Sequence, residues 1–329
     1  MRRRPARLLI LAILFPLVVS TYEAPPSRAA AARAKMVFGA YVQPRSGETL
    51  PEAIRRFERQ IDEKLAAVRV YFKWDSKFPS PLARWLKHTD RTMFMSVKSM
   101  RENGSIIKWA DIANARRGSK IYRRIRHWGR AIKRYHKTVY FTFNHEPEVP
   151  FSDSMGSSRA FRRAWRKVIT VFRRVGVHNA RYLLIMGAWA FQASDGHAIR
   201  HWYPGNRYVH AVGADPYNWH KCRGNERWRS LAETIERFRR WGRRHRKEKL
   251  FLPEWGSVED WSSPGRKERW FEDARALFKR DRWSQFKGIL YFNADDQTFE
   301  KCNWYADTSS SSLQAFRAMV NDQFYRAEL

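Results

Sequence analysis

Short, β-rich apolar runs recur along the chain with longer amphipathic stretches between them, and this alternation limits the fold more than any other feature. The runs are VFGAYV from Val37, AVRVYF from Ala67, TMFMSV from Thr92, VYFTFN from Val139, YLLIMGA from Tyr182, VHAVGAD from Val209, KLFLPE from Lys249 and GILYFN from Gly288. Segments of this length and composition read as buried strands, and the stretches between them, with Ser or Thr near several starts, read as helices. Helix is expected over 50–66, 121–135, 158–175, 228–246 and 268–279, with a closing helix over about 311–324. Strands alternating with helices build a parallel sheet. Eight such units predict an α/β fold, a closed (β/α)8 TIM barrel. An open doubly wound sheet would share the local pattern, but no GxGxxG or GxxxxGKS/T element favours its nucleotide-binding form.

No linker rich in Pro, Gly or Ser divides the chain after its first segment, so a single domain is expected over 35–329. With 43% hydrophobic residues, among them 15 Trp, 13 Tyr and 21 Phe, that domain can fill a core and still line a groove. Residues 1–34 read as a signal peptide: a basic start, an apolar run from Leu8 to Val19 and small residues around Ala29–Ala34. The apolar run falls short of the roughly 20 residues a spanning helix needs, so secretion is expected, to the medium or the cell surface. In an oxidising compartment Cys222 and Cys302, each just beyond a strand-like run, are expected to pair. Two isolated cysteines, and 10 histidines without HExxH spacing, offer no metal site, and neither metal nor cofactor is expected.

A formal charge of +32, from 64 Lys and Arg against 32 Asp and Glu, would attract a polyanion. The arginines recur in IRRFERQ, YRRIRHWGR, FRRAWRKV and RFRRWGRRHRK, where they fit solvated outer helix faces better than one concentrated patch. The charge therefore predicts non-specific attraction to an anionic cell envelope and no dedicated nucleic-acid partner. A monomer is expected.

Barrel enzymes place their chemistry at the C-terminal ends of strands, and here those ends are polar and aromatic. The fourth run ends in Asn144, His145, Glu146, Pro147 and Glu148, the sixth in Asp215, Pro216 and Tyr217, the seventh in Pro253, Glu254 and Trp255. Cleaving a glycosidic bond takes a carboxylic acid to protonate the leaving oxygen and a carboxylate to attack or stabilise the oxocarbenium-like carbon. Glu146 and Glu254, on opposite parts of the rim, meet that need; carboxyls about 5–5.5 Å apart would give retention. Glu148 competes with Glu146, but Pro147 should end the strand between them. Trp74, Trp189 and Trp255 are candidate platforms for sugar faces, each weighed against plain core packing. Asp215 reads equally as a supporting acceptor beneath Tyr217 or as a salt-bridged structural residue, and Asp295 and Asp296 read as loop residues without an assigned role. A GxSxG elbow is lacking, which leaves no serine-hydrolase reading.

The His145–Glu146 pair, FLPEWGS around Glu254, the stretch SSRAFRRAWRKVITVFRRVGVHNARYLL, GADPYNW and CNWYADTSSSSLQAF together resemble glycoside hydrolase family 26, of the clan of retaining enzymes with catalytic glutamates on strands 4 and 7. The likeness covers essentially all of the chain after its first segment. It implies that Glu146 is the acid/base and Glu254 the nucleophile. It further implies that His145 helps to set the glycone site and the nucleophile's surroundings, and that Tyr217 hydrogen-bonds Glu254. A phenol donor would stabilise an ionised nucleophile, and a less polar setting would keep Glu146 protonated. The family's default is an endo-β-1,4-mannanase acting on polysaccharide or oligosaccharide. Mannan-cleaving members, however, follow the HE pair with Met-Asn and a Trp-rich stretch and carry an arginine three residues before the histidine, where this chain has Pro147, Glu148 and Thr142. A β-glucanase or xylanase of the same fold stays open. So does a different class, a non-catalytic carbohydrate-binding barrel at an anionic cell surface.

Overall fold

The computed structural model describes residues 36–224, 226–295 and 302–329; the expected signal segment and Asp296 lie outside them. Eight parallel strands close into a barrel: β1 (Val37–Val42), β2 (Ala67–Lys73), β3 (Thr92–Lys98), β4 (Val139–Phe143), β5 (Ala180–Gly187), β6 (Ala211–Asp215), β7 (Lys249–Leu252) and β8 (Phe286–Asn293). Each pairs with its neighbours in sequence, and β1 closes on β8 in register from Val37–Gly288 to Val42–Asn293. All eight runs are strands, in a (β/α)8 barrel.

Around the barrel lie α1 (Leu50–Ile61), α2 (Pro81–Lys87), α3 (Trp109–Asn114), α4 (Lys120–Tyr135), α5 (Ser158–Arg174), α6 (Ile199–Trp202), α7 (Leu231–Arg244), α8 (Arg266–Leu277) and α9 (Ser310–Val320). Their bounds follow local chemistry. Thr49 and Glu52 form a capping box at the start of α1, and Ser230 and Glu233 form another at α7, which fixes the α7 start at Leu231 rather than Trp228. α1 ends earlier than its pattern suggests because Asp62 turns left-handed, with φ 54°, and returns its N–H to the Glu58 carbonyl. Among the described residues no helix is long and apolar enough to cross a membrane.

Strand alternation separates two cores. One lies between barrel and helices and takes side chains such as Val68, Val70, Phe72 and Trp74. The other plugs the barrel's lower interior with Val37, Ala67, Phe94, Tyr140, Leu183, Ala211 and Phe251, the Phe94 and Tyr140 rings stacked 4.3 Å apart. Above that plug the inward positions turn polar. Arg69, Ser96 and Thr142 are buried, and Thr142 donates its hydroxyl to the Leu183 carbonyl at 2.7 Å. Gly213 lets β6 and β7 approach closely, since a Cβ there would sit 2.5 Å from Cγ of Pro253. That proximity seats the residue before Glu254.

Candidate active site

Glu254, just past the end of β7, is held by three donors. Arg69 and Tyr71, two inward positions of β2, reach its Oε1 at 3.2 and 2.7 Å, and Tyr217 reaches its Oε2 at 3.0 Å. Burial alone would raise the carboxyl's pKa, yet the Arg69 guanidinium and the two phenols outweigh it and hold Glu254 below the usual carboxylate range. Burial first, and the Glu254 charge second, push both phenols well above theirs, so they remain donors.

Glu146 presents the opposite case. Burial, then the charge of Glu254, raises its pKa to about 8, against the opposing pull of Arg69, Lys98 and Arg223. It therefore stays protonated at neutral pH. The backbone that presents it is unusual: Asn144 and Glu146 both adopt left-handed conformations, with φ 53° and 46°. Non-glycine residues there cost on the order of 1–3 kcal/mol each and persist where surrounding bonds hold them. Asn144 Oδ1 accepts from the N–H and hydroxyl of Ser99, and the Glu146 N–H donates to the Ile185 carbonyl at 3.0 Å. Between them, the His145 ring packs 5.4 Å from that of Tyr71, and burial lowers its pKa to about 3, so it is neutral.

Glu148 does not compete. Its carboxyl is fully buried and accepts from the Gly187 N–H at 2.6 Å, and burial raises its pKa well above the usual value. Asp215 is buried with neither oxygen hydrogen-bonded among the described residues. Burial, then the charge of Glu254, pushes its pKa well above the usual carboxylate range, and the Tyr217 hydroxyl donates its hydrogen bond to Glu254 instead. Asp295 lies in the loop after β8, where its N–H donates to Gln43 Oε1.

The three tryptophans separate. Trp189, 39% exposed, lines a cleft of about 640 Å³ with Asp215, Tyr217, Trp219 and Arg223, and is placed to meet a ligand. Trp255 is not: it is wholly buried, with Trp270 stacked at 5.3 Å and Tyr291 edge-on at 5.1 Å. Nor is Trp74, which is 5% exposed, faces outward from the barrel and packs edge-on against Phe143. Both expectations of a sugar platform at these two positions are corrected, since the rings belong to the packed layer between barrel and helices. Cys222 and Cys302 are bonded, with Cα atoms 5.0 Å apart. Among the described residues no group of His, Cys, Asp and Glu is arranged to hold a metal.

Arg69, Tyr71 and Lys98 were not singled out from the sequence. The signal was present in AVRVYFK: an arginine in the middle of an apolar strand must face a buried partner.

A parallel eight-stranded barrel whose rim sets an ionised glutamate opposite a protonated one defines the class of structure to which the chain belongs. Known proteins place it more closely. No family model matches the chain. The catalytic domain of a family 26 endo-β-1,4-mannanase from Bacillus sp. JAMB-750 superposes with a TM-score of 0.62 at 13% identity, covering 90% of this chain and 88% of that one. A Cellulomonas fimi endo-β-1,4-mannanase double mutant gives 0.62 at 15% identity over 88% and 71%. A triple mutant of an endo-β-1,4-glucanase from Xanthomonas axonopodis pv. citri gives 0.56 at 14% over 89% and 100%. In sequence, Endoglucanase H of Acetivibrio thermocellus is 22% identical over 299 residues, 86% of this chain but only 30% of that protein's length. The fold is that of family 26 mannanases, and the similar proteins are glycoside hydrolases.

Proposed function

We propose that residues 35–329 form a retaining glycoside hydrolase, exported by the segment before them, that cleaves a β-linked polysaccharide by double displacement. One observation carries the reading: Glu146 feels the charge of Glu254 across the rim, and the surroundings of the two glutamates drive their pKa values apart. In the first step Glu146 gives its proton to the glycosidic oxygen while Glu254 bonds to the anomeric carbon, expelling the leaving chain as an alcohol. In the second, Glu146, now a carboxylate, takes a proton from water as the oxygen of that water displaces Glu254. Both glutamates return to their starting states.

The Tyr71, Tyr217 and Arg69 contacts spread the nucleophile's charge, and Trp189 offers a ring face to a sugar in the adjoining cleft. β-1,4-Mannan is the first substrate proposed, from the mannanase neighbours. β-1,4-Glucan is the second, because the sequence relative and one structural neighbour are endoglucanases. The test is reducing-end release from β-mannan, mixed-linkage β-glucan and β-xylan by the mature protein and by Glu254→Ala. Turnover abolished in the variant, with ligand affinity kept, is the expected result. Binding without turnover by the unaltered protein on all three polymers would replace hydrolysis with the carbohydrate-binding reading.

A further inference from the structure

Two neighbouring helices on one flank of the barrel carry a charge imbalance that other helices do not. α4 and α5 each hold seven Lys or Arg, and neither holds an Asp or Glu. Their apolar stripes, including Trp128 and Ile132 on α4 and Trp165 and Phe172 on α5, are buried, so the cations face out. By contrast α1 sets Arg55, Arg56 and Arg59 against Glu52 and Glu58, and α8 mixes both signs along its length. On α7, Arg239 and Arg240 share Glu236. Among the described residues no cation of α4 or α5 pairs with a carboxylate. Those that bond find neutral oxygens, as Arg124 does at the Trp74 and Ser76 carbonyls and Arg163 at Asn114. Arg126, Arg130 and Arg134 succeed one another at the spacing that brings like charges together on one helix. Such an arrangement opposes folding unless an anion covers it. The charge is thus not spread evenly over solvated faces, as the sequence suggests.

We propose that the α4–α5 face binds an acidic polysaccharide, a chain with carboxylates on its repeating sugars, and holds the protein against it. Complementarity of charge argues for a polyanion. The choice of polysaccharide follows from what the face lacks. Single-stranded nucleic acid is held by exposed rings on which bases stack, and Tyr122, Trp128, Tyr135, Phe161, Trp165 and Phe172 are all buried. A polymer recognised by charge alone needs only regularly spaced anions.

The test is titration of the full chain with polygalacturonate, at about 20 mM and about 500 mM NaCl, conditions between which Debye screening changes several-fold. The variant Arg126→Gln/Arg130→Gln/Arg134→Gln/Arg159→Gln is compared with Arg59→Gln/Arg243→Gln/Arg244→Gln/Arg269→Gln, which removes equal charge elsewhere, and with lysine at the first four positions. Expected are binding weakened by salt, affinity at least tenfold lower in the first variant, near-unaltered affinity in the second, and retention with lysine. Equal loss in both glutamine variants, or no loss in the first, would overturn the proposal. So would tighter binding of duplex DNA than of polygalacturonate at equal salt. Binding is read here without turnover, so failure to hydrolyse neutral mannan would count against the proposed activity alone.

Discussion

A guanidinium buried inside a strand survives only with an anion to face, and Arg69, whose side chain has no exposed surface, finds it in Glu254 at 3.2 Å. Removing one partner of such a pair leaves an uncompensated charge and costs about 3–5 kcal/mol. Arg69→Met should therefore destabilise the protein by that amount in urea unfolding. It should also raise the acid limb of the kcat/KM profile, because Glu254 loses the largest of the influences that keep it ionised. An unmoved acid limb would show that Arg69 serves packing alone. Glu146 governs the other limb. As the proposed general acid it works only while protonated, and its pKa is raised to about 8, so activity should fall as pH rises through that value. Glu146→Gln should lower kcat about 10²–10⁴-fold and abolish the alkaline limb, as pH-rate profiles on one substrate would reveal. Both glutamates were legible because each ends a strand-like run. Arg69 and Tyr71 were not, because their run reads as apolar overall and only the pleat decides which of its side chains turn inward.

Pairs of elements hold these residues in place. The close approach of β6 and β7 at Gly213 leaves no room for a methyl group, whose nearest neighbour would be the ring of Pro253. Gly213→Ala should cost about 1–3 kcal/mol through overpacking. Since Pro253 immediately precedes the proposed nucleophile, kcat should fall more than KM rises; a variant with lowered Tm but unaltered kcat would uncouple the packing from the chemistry. On the rim, Cys222 and Cys302 join the loop beyond β6 to that beyond β8 across 80 residues of chain. Cys222→Ser/Cys302→Ser should reduce stability by about 2–5 kcal/mol, measured by urea unfolding. The strands and helices were readable from periodicity and caps, while the ends of α1 and α7 shifted because a left-handed Asp62 and a Ser230 cap, rather than the apolar pattern, stop and start them.

Over the whole molecule a formal charge of +32 acts through self-repulsion, which salt relieves. Raising NaCl from about 10 mM to about 150 mM shortens the screening length from roughly 30 Å to 8 Å, and Tm should rise over that interval. A Tm indifferent to salt would mean that the cations of α4 and α5 are compensated in the free protein. The order of elements was set by the sequence, as eight apolar runs separated by amphipathic helices, and the lack of a nucleotide-binding glycine motif favoured closing them into a ring over an open sheet. So was the cysteine pair, each member lying in a loop beyond a strand. Tertiary structure alone decided which tryptophan meets solvent, which cation reaches Glu254, and on which flank the positive charge accumulates. Those outcomes depend on direction and distance between segments far apart in the chain, and residue order carries no record of either until the barrel closes.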